Sequence, residues 1–165
     1  MTFIPEITDD DDVVPLIELR NEQELLARVR IGRDDETGAI YSVFVALTVP
    51  AIEPSAREVS FDVIEALPDG EENWCTDGLQ TRRFLVGEHR KIALACICSV
   101  LQTLLKAIDV DRLFMMTITP DLPAKALQKY DIVCGAVNDV GFQGGRDSPF
   151  HGTHVWLMER LSSES

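Results

Sequence analysis

The stretch 84–95 reads Phe-Leu-Val-Gly-Glu-His-Arg-Lys-Ile-Ala-Leu-Ala: a β-like segment ends, the chain turns, and an apolar helix begins. The first N–H groups of a helix have no partner within it, and the peptide dipoles add partial positive charge there. Such an end can hold an anion such as a pyrophosphate. Arg82, Arg83, Arg90 and Lys91 cluster around it, 4 of the 15 basic residues. His89 stands beside Arg90, where an imidazole can shuttle protons, bind phosphate or face solvent. His151 and His154 are three apart and bring no third ligand, so no metal centre is expected. Cys75, Cys96, Cys98 and Cys134 lack the paired spacing of a metal site. Cys96 and Cys98 point different ways on a helix, and the expectation is buried, reduced thiols.

Those residues need elements to hold them. Thr8 followed by Asp9–Asp12 suits a helix start, with acids at the positive end. Pro15 fits only a first turn, so a short strand at 13–19 competes. Residues 25–33 and 40–49, joined by Asp-Asp-Glu-Thr-Gly, read as a hairpin. Residues 58–66 alternate, with Val59, Phe61 and Val63 on one side and Ser60, Asp62 and Ile64 on the other. Residues 67–78 read as a polar loop carrying Trp74, and 79–86 as a further strand. From 88 to 108 the pattern is helical. Residues 92–105 hold no charge, and a helix apolar all round is a buried one. A strand at 113–119 follows, then a helix from the Pro120–Pro123 region through Tyr130 to about Val140, ended by Gly141. Residues 142–149 read as a glycine-rich loop and 155–159 as the last strand. The fold expected is α+β, α/β-like in character: a mixed, mostly antiparallel central sheet, a buried central helix and a second helix.

At 165 residues and 45% hydrophobic composition, one domain over 1–165 is expected. The net charge of −13 lies entirely in the β-rich half, 1–72, with 18 acidic and 5 basic residues; 73–165 holds 10 of each. Direct nucleic-acid binding through the acidic half is disfavoured, because phosphate contacts need Lys and Arg. A cationic substrate or a basic protein partner suits it, although acidity also serves solubility. No apolar run reaches the roughly 20 residues of a membrane span, and the N-terminus lacks a signal-peptide pattern. A cytoplasmic protein is expected. An exposed sheet edge permits a homodimer.

Residues 57–160 resemble the GNAT superfamily of acyl-CoA-dependent N-acetyltransferases. Arg90-Lys91-Ile92-Ala93-Leu94-Ala95 is similar to the family's Arg/Gln-x-x-Gly-x-Gly/Ala at a helix start, with Ala93 where glycine is usual. Ala126 and Tyr130 resemble its Ala-x-x-x-Tyr. Gly141-Phe142 resembles the Gly-Phe that closes that helix, eleven residues after the Tyr rather than about five. The segment 155–160, Val-Trp-Leu-Met-Glu-Arg, resembles its closing strand.

The resemblance implies acetyl transfer from acetyl-CoA to an amine. It implies that backbone amides at Arg90, Lys91, Ile92, Ala93, Leu94 and Ala95 cradle the pyrophosphate, and that Leu85 and Val86 offer backbone groups to the pantetheine arm. Tyr130 then protonates the leaving thiolate, and Glu65 is the candidate base, acting through water. The competing expectation is a non-catalytic acidic interaction protein on the same fold: an inhibitor, antitoxin or immunity-type partner of a basic protein. A ligand-free dimer built on the sheet edge is a third.

Overall fold

The computed structural model describes residues 3–8, 15–21, 24–51, 53–75, 81, 84–117, 122, 124–149 and 151–162. Their elements run β1 (Phe3–Pro5), β2 (Leu16–Asn21), β3 (Glu24–Asp34), β4 (Ile40–Thr48), β5 (Ala56–Ala66), β6 (Glu72–Cys75), α1 (Glu88–Ala107), β7 (Arg112–Met116), α2 (Ala124–Asn138), β8 (Phe142–Arg146) and β9 (Val155–Arg160). Among the described residues, nine strands form one sheet in the order β1-β3-β4-β5-β7-β9-β8, with β2 also on β3 and β6 also on β5. Every pairing is antiparallel except β5 with β7. The fold is α+β.

The β3–β4 hairpin forms because its β-branched and aromatic residues alternate. Leu25, Ala27, Val43, Val45 and Leu47 enter the core, while Leu26, Arg28, Phe44 and Ala46 face the other way. Asp34 closes the turn, its carboxylate accepting from the Glu36 and Thr37 amides at 2.8 and 3.1 Å. On α1, Ala93, Cys96, Ile97, Val100, Leu101, Leu104 and Leu105 are buried, a stripe at helical spacing that packs on β3 and β4. The rest of the uncharged stretch is half-buried rather than enclosed. There α2 leans on α1, and Gln102 donates to the Ala136 carbonyl at 2.9 Å. Glu88 in the first turn and Lys106 in the last both match the helix dipole. No helix among the described residues is long and apolar enough to cross a membrane.

Four local readings are settled or changed. Of the two alternatives near the N-terminus, the strand holds, at Leu16–Asn21, and the 8–15 helix start lies mostly outside the described residues. Within the expected loop 67–78, Glu72–Cys75 pairs with β5 from Val63 to Ala66. That occupies the edge which a strand at 79–86 would need. Instead, the Phe84 and Leu85 amides both donate to the Thr81 carbonyl, at 3.2 and 2.8 Å, and the chain turns into α1. Residues 76–80, 82 and 83, with Arg82 and Arg83, lie outside the described residues.

The fourth concerns 142–149, where Phe142–Arg146 pairs with β9. Gly144 allows this, since a Cβ there would stand 1.9 Å from the Leu157 carbonyl oxygen, while one on Gly145 meets nothing within 4 Å. Gly144→Ala is therefore expected to lose about 1–3 kcal/mol, the cost of overpacking. Gly145→Ala should stay within about 0.5 kcal/mol of the parent. Urea unfolding midpoints of the two variants check the contrast.

Candidate functional site

The parallel pair β5–β7 is short. Ala56, Arg57 and Glu58 match Arg112, Leu113 and Phe114, and β5 then runs on without that neighbour until β6 joins at Val63. On this side residues 59–62 have no ladder partner among the described residues. A strand's N–H and C=O groups point to its two edges, so backbone donors and acceptors face the gap. The gap opens as a cleft of about 90 Å3 lined by Glu58, Ser60, Phe61, Asp62, Met116 and Tyr130.

Tyr130 is held from two sides. Its ring stacks on Trp156 at 4.9 Å and 21°, and meets Phe61 at 5.5 Å. Trp156 is fully buried. Its Nε1 donates to Asp131 at 2.9 Å, and Arg146 donates to the other carboxylate oxygen at 2.6 Å. A short chain of contacts thus runs from β8 and β9 through α2 to the cleft. Glu58 and Asp62 are the carboxylates that line the cleft with Tyr130. Burial raises the Asp62 pKa above the usual 3.8, and the nearby Lys129 ammonium pulls the other way. A carboxylate with a raised pKa lining one cleft with a hydroxyl suits proton transfer.

A second hollow, of about 110 Å3, lies where α1 begins. Leu85, Arg90, Ala93 and Leu94 line it with Val63, Thr81 and Ile97. Val63, which lines it, follows Asp62 of the first cleft directly on β5. Of the residues expected at the cofactor, these four come together here. Val86 and Lys91 are exposed, and Ile92 and Ala95 are half-buried without lining the hollow.

The start of α1 differs from an open cradle. The His89 amide donates to the Val86 carbonyl at 3.1 Å, and the Arg90 amide to the Gly87 carbonyl at 3.2 Å. Gly87, at φ 49°, makes the tight entry and offers no side-chain cap. An anion here would lean on the Arg90 and Lys91 side chains more than on those two amides. The His89 ring packs against Phe3 at 4.8 Å, which draws it toward the β1 side.

Glu65 is placed elsewhere. It accepts from the Tyr41 hydroxyl at 3.1 Å and from the Asn73 side-chain amide at 3.0 Å. It stands four residues beyond Phe61, about 13 Å along an extended strand. The structure does not bring it to Tyr130; of the β5 acids, Glu58 and Asp62 line the Tyr130 cleft. Cys75, Cys96 and Cys134 are buried as expected and Cys98 is half-buried; all four are unbridged, and burial pushes Cys96 up to about 12 and Cys98 to about 11, far from a reactive thiolate. Comparison of the chain with family models, with curated proteins and with solved structures gives no match.

Proposed function

We propose that the protein transfers a small acyl group, acetyl in the first instance, from acetyl-CoA to an amine, with the β5–β7 gap as its reaction centre. One observation carries the reading: consecutive residues of β5, Asp62 and Val63, line the cleft of Tyr130 and the hollow of Arg90. The residues present fit the group. Arg90 and Lys91 supply positive charge for its phosphates, Leu85, Leu94 and Ile97 an apolar wall, and residues 59–62 backbone donors and acceptors for the amides of its arm. The cleft holds about three water molecules' volume, which suits a short acyl group.

When bound, acetyl-CoA supplies an activated acetyl thioester. Asp62 accepts the proton that the amine loses as its nitrogen bonds to the acyl carbon. The Tyr130 hydroxyl donates a proton to the departing sulfur. Lys129 steadies charge beside both. The acidic residues of 1–72 favour the approach of a cationic amine.

Acetyl-CoA at a hundred times its dissociation constant is expected to stabilise the protein by about 2.7 kcal/mol, several degrees in melting temperature. Arg90→Ala should abolish most of that shift. No shift at millimolar acetyl-CoA sinks the reading. A non-catalytic acidic partner of a basic protein is the second reading, and the self-bonded amides at His89 and Arg90 are in its favour. It predicts no acetyl-CoA shift, together with a stable complex with a basic protein.

A further inference from the structure

The sheet face turned away from the helices carries a separate hollow of about 360 Å3, within the usual range for small-molecule sites. Glu18, Leu26, Arg28, Phe44 and Trp74 line it. Strand register gathers them. Glu18 pairs with Leu26, Arg28 with Phe44, and β6 brings Trp74 back opposite Ile64.

The Phe44 and Trp74 rings stand 4.9 Å apart at 73°, two aromatic faces that meet as a corner. Trp74 is 44% exposed, so the corner is open to solvent. Among the described residues the charge around it is negative on balance. Arg28 is already engaged with Glu72 at 2.9 Å. Glu18 adds a carboxylate to the wall.

Ring faces attract a cation, and most strongly one that is weakly hydrated. An inorganic cation keeps its water and gains little from the rings. An anion meets Glu18. A neutral apolar ligand gains nothing from the carboxylates. We propose that this corner binds an alkylated ammonium ion, its methyl or methylene groups on Phe44 and Trp74 and Glu18 as counter-charge. The site shares no lining residue with either hollow of the candidate active site, and the proposal stands whether or not acetyl transfer does.

Choline chloride is the probe. Trp156 is fully buried, so an exposed-indole signal belongs to Trp74. Choline is expected to shift the Trp74 indole resonance and fluorescence saturably, while potassium chloride at equal ionic strength does not. Dimethylbutanol, the neutral carbon analogue of choline, should bind about tenfold more weakly. Glu18→Gln should weaken choline severalfold, and Phe44→Leu should weaken choline more than dimethylbutanol. Glu18 is exposed, so its variant keeps the test open if Phe44→Leu fails to fold. Equal affinity for choline and dimethylbutanol, a choline response no larger than that of potassium chloride, or unchanged choline binding in Glu18→Gln overturns the proposal.

Discussion

Trp156→Ala is expected to cost about 3–5 kcal/mol of folding stability, the range for removing a large buried aromatic. In a domain of this size that lowers the melting temperature by on the order of 10 °C. The ring is fully buried, stacks on Tyr130 and lies 5.6 Å from the Arg146 guanidinium. Alanine leaves a cavity where β9 meets α2. The hydrogen bond to Asp131 matters less, because that carboxylate is exposed and finds water instead. Trp156→Phe separates the two effects: it keeps most of the packing, loses the bond, and should cost only about 1 kcal/mol for that bond. Urea unfolding at constant m-value measures both. An alanine variant within 1 kcal/mol of the parent would mean that Tyr130 is not positioned by this ring.

Asp62→Asn is expected to lower the acetyl-transfer rate by about a hundredfold or more, the usual contribution of a positioned proton acceptor. It should also raise the melting temperature at neutral pH. The two effects share one cause. Burial raises the Asp62 pKa, so between the unfolded carboxyl value and the raised one the folded chain binds more protons than the unfolded chain. Stability from this group is present below that window and is lost as pH climbs through it. Asparagine stays neutral and escapes the loss. In the parent, the rate should rise with pH as Asp62 ionises; in the variant that acidic limb should vanish. A variant with parental rate removes Asp62 from the chemistry, and a variant with an unchanged pH profile does the same.

Much of the architecture was readable from local pattern. The hairpin of β3 and β4 announced itself by alternation, and α1 by a long stretch without charge. The strands missed were those whose residues carry no such pattern. Glu72-Asn73-Trp74 are all exposed, so β6 shows no buried alternation; its pairing comes from β5. Gly144 and Gly145 look like loop until Leu157 is seen against Gly144.

The candidate site divided in the same way. Leu85, Arg90, Ala93 and Leu94 are near one another in sequence, and they gather around one hollow. Asp62 looked like the polar side of an alternating strand. Its position depends on β7 leaving β5 after Glu58, a long-range event with no signature in residues 58–66. Glu65 was the more visible acid at the strand end, yet register sets it against Tyr41 and Asn73.

The interruption along β5 has a bearing on self-association. Bare strand edges at the rim of a sheet recruit foreign strands and seed aggregation. Among the described residues the bare segment is interior, four residues long, and bracketed by β7 at one end and β6 at the other. A typical strand runs to about five or six residues, so another polypeptide has no room to dock there, whereas a slim molecule with a few amide groups does. The protein can thus keep main-chain donors and acceptors on offer without becoming a template for its own precipitation.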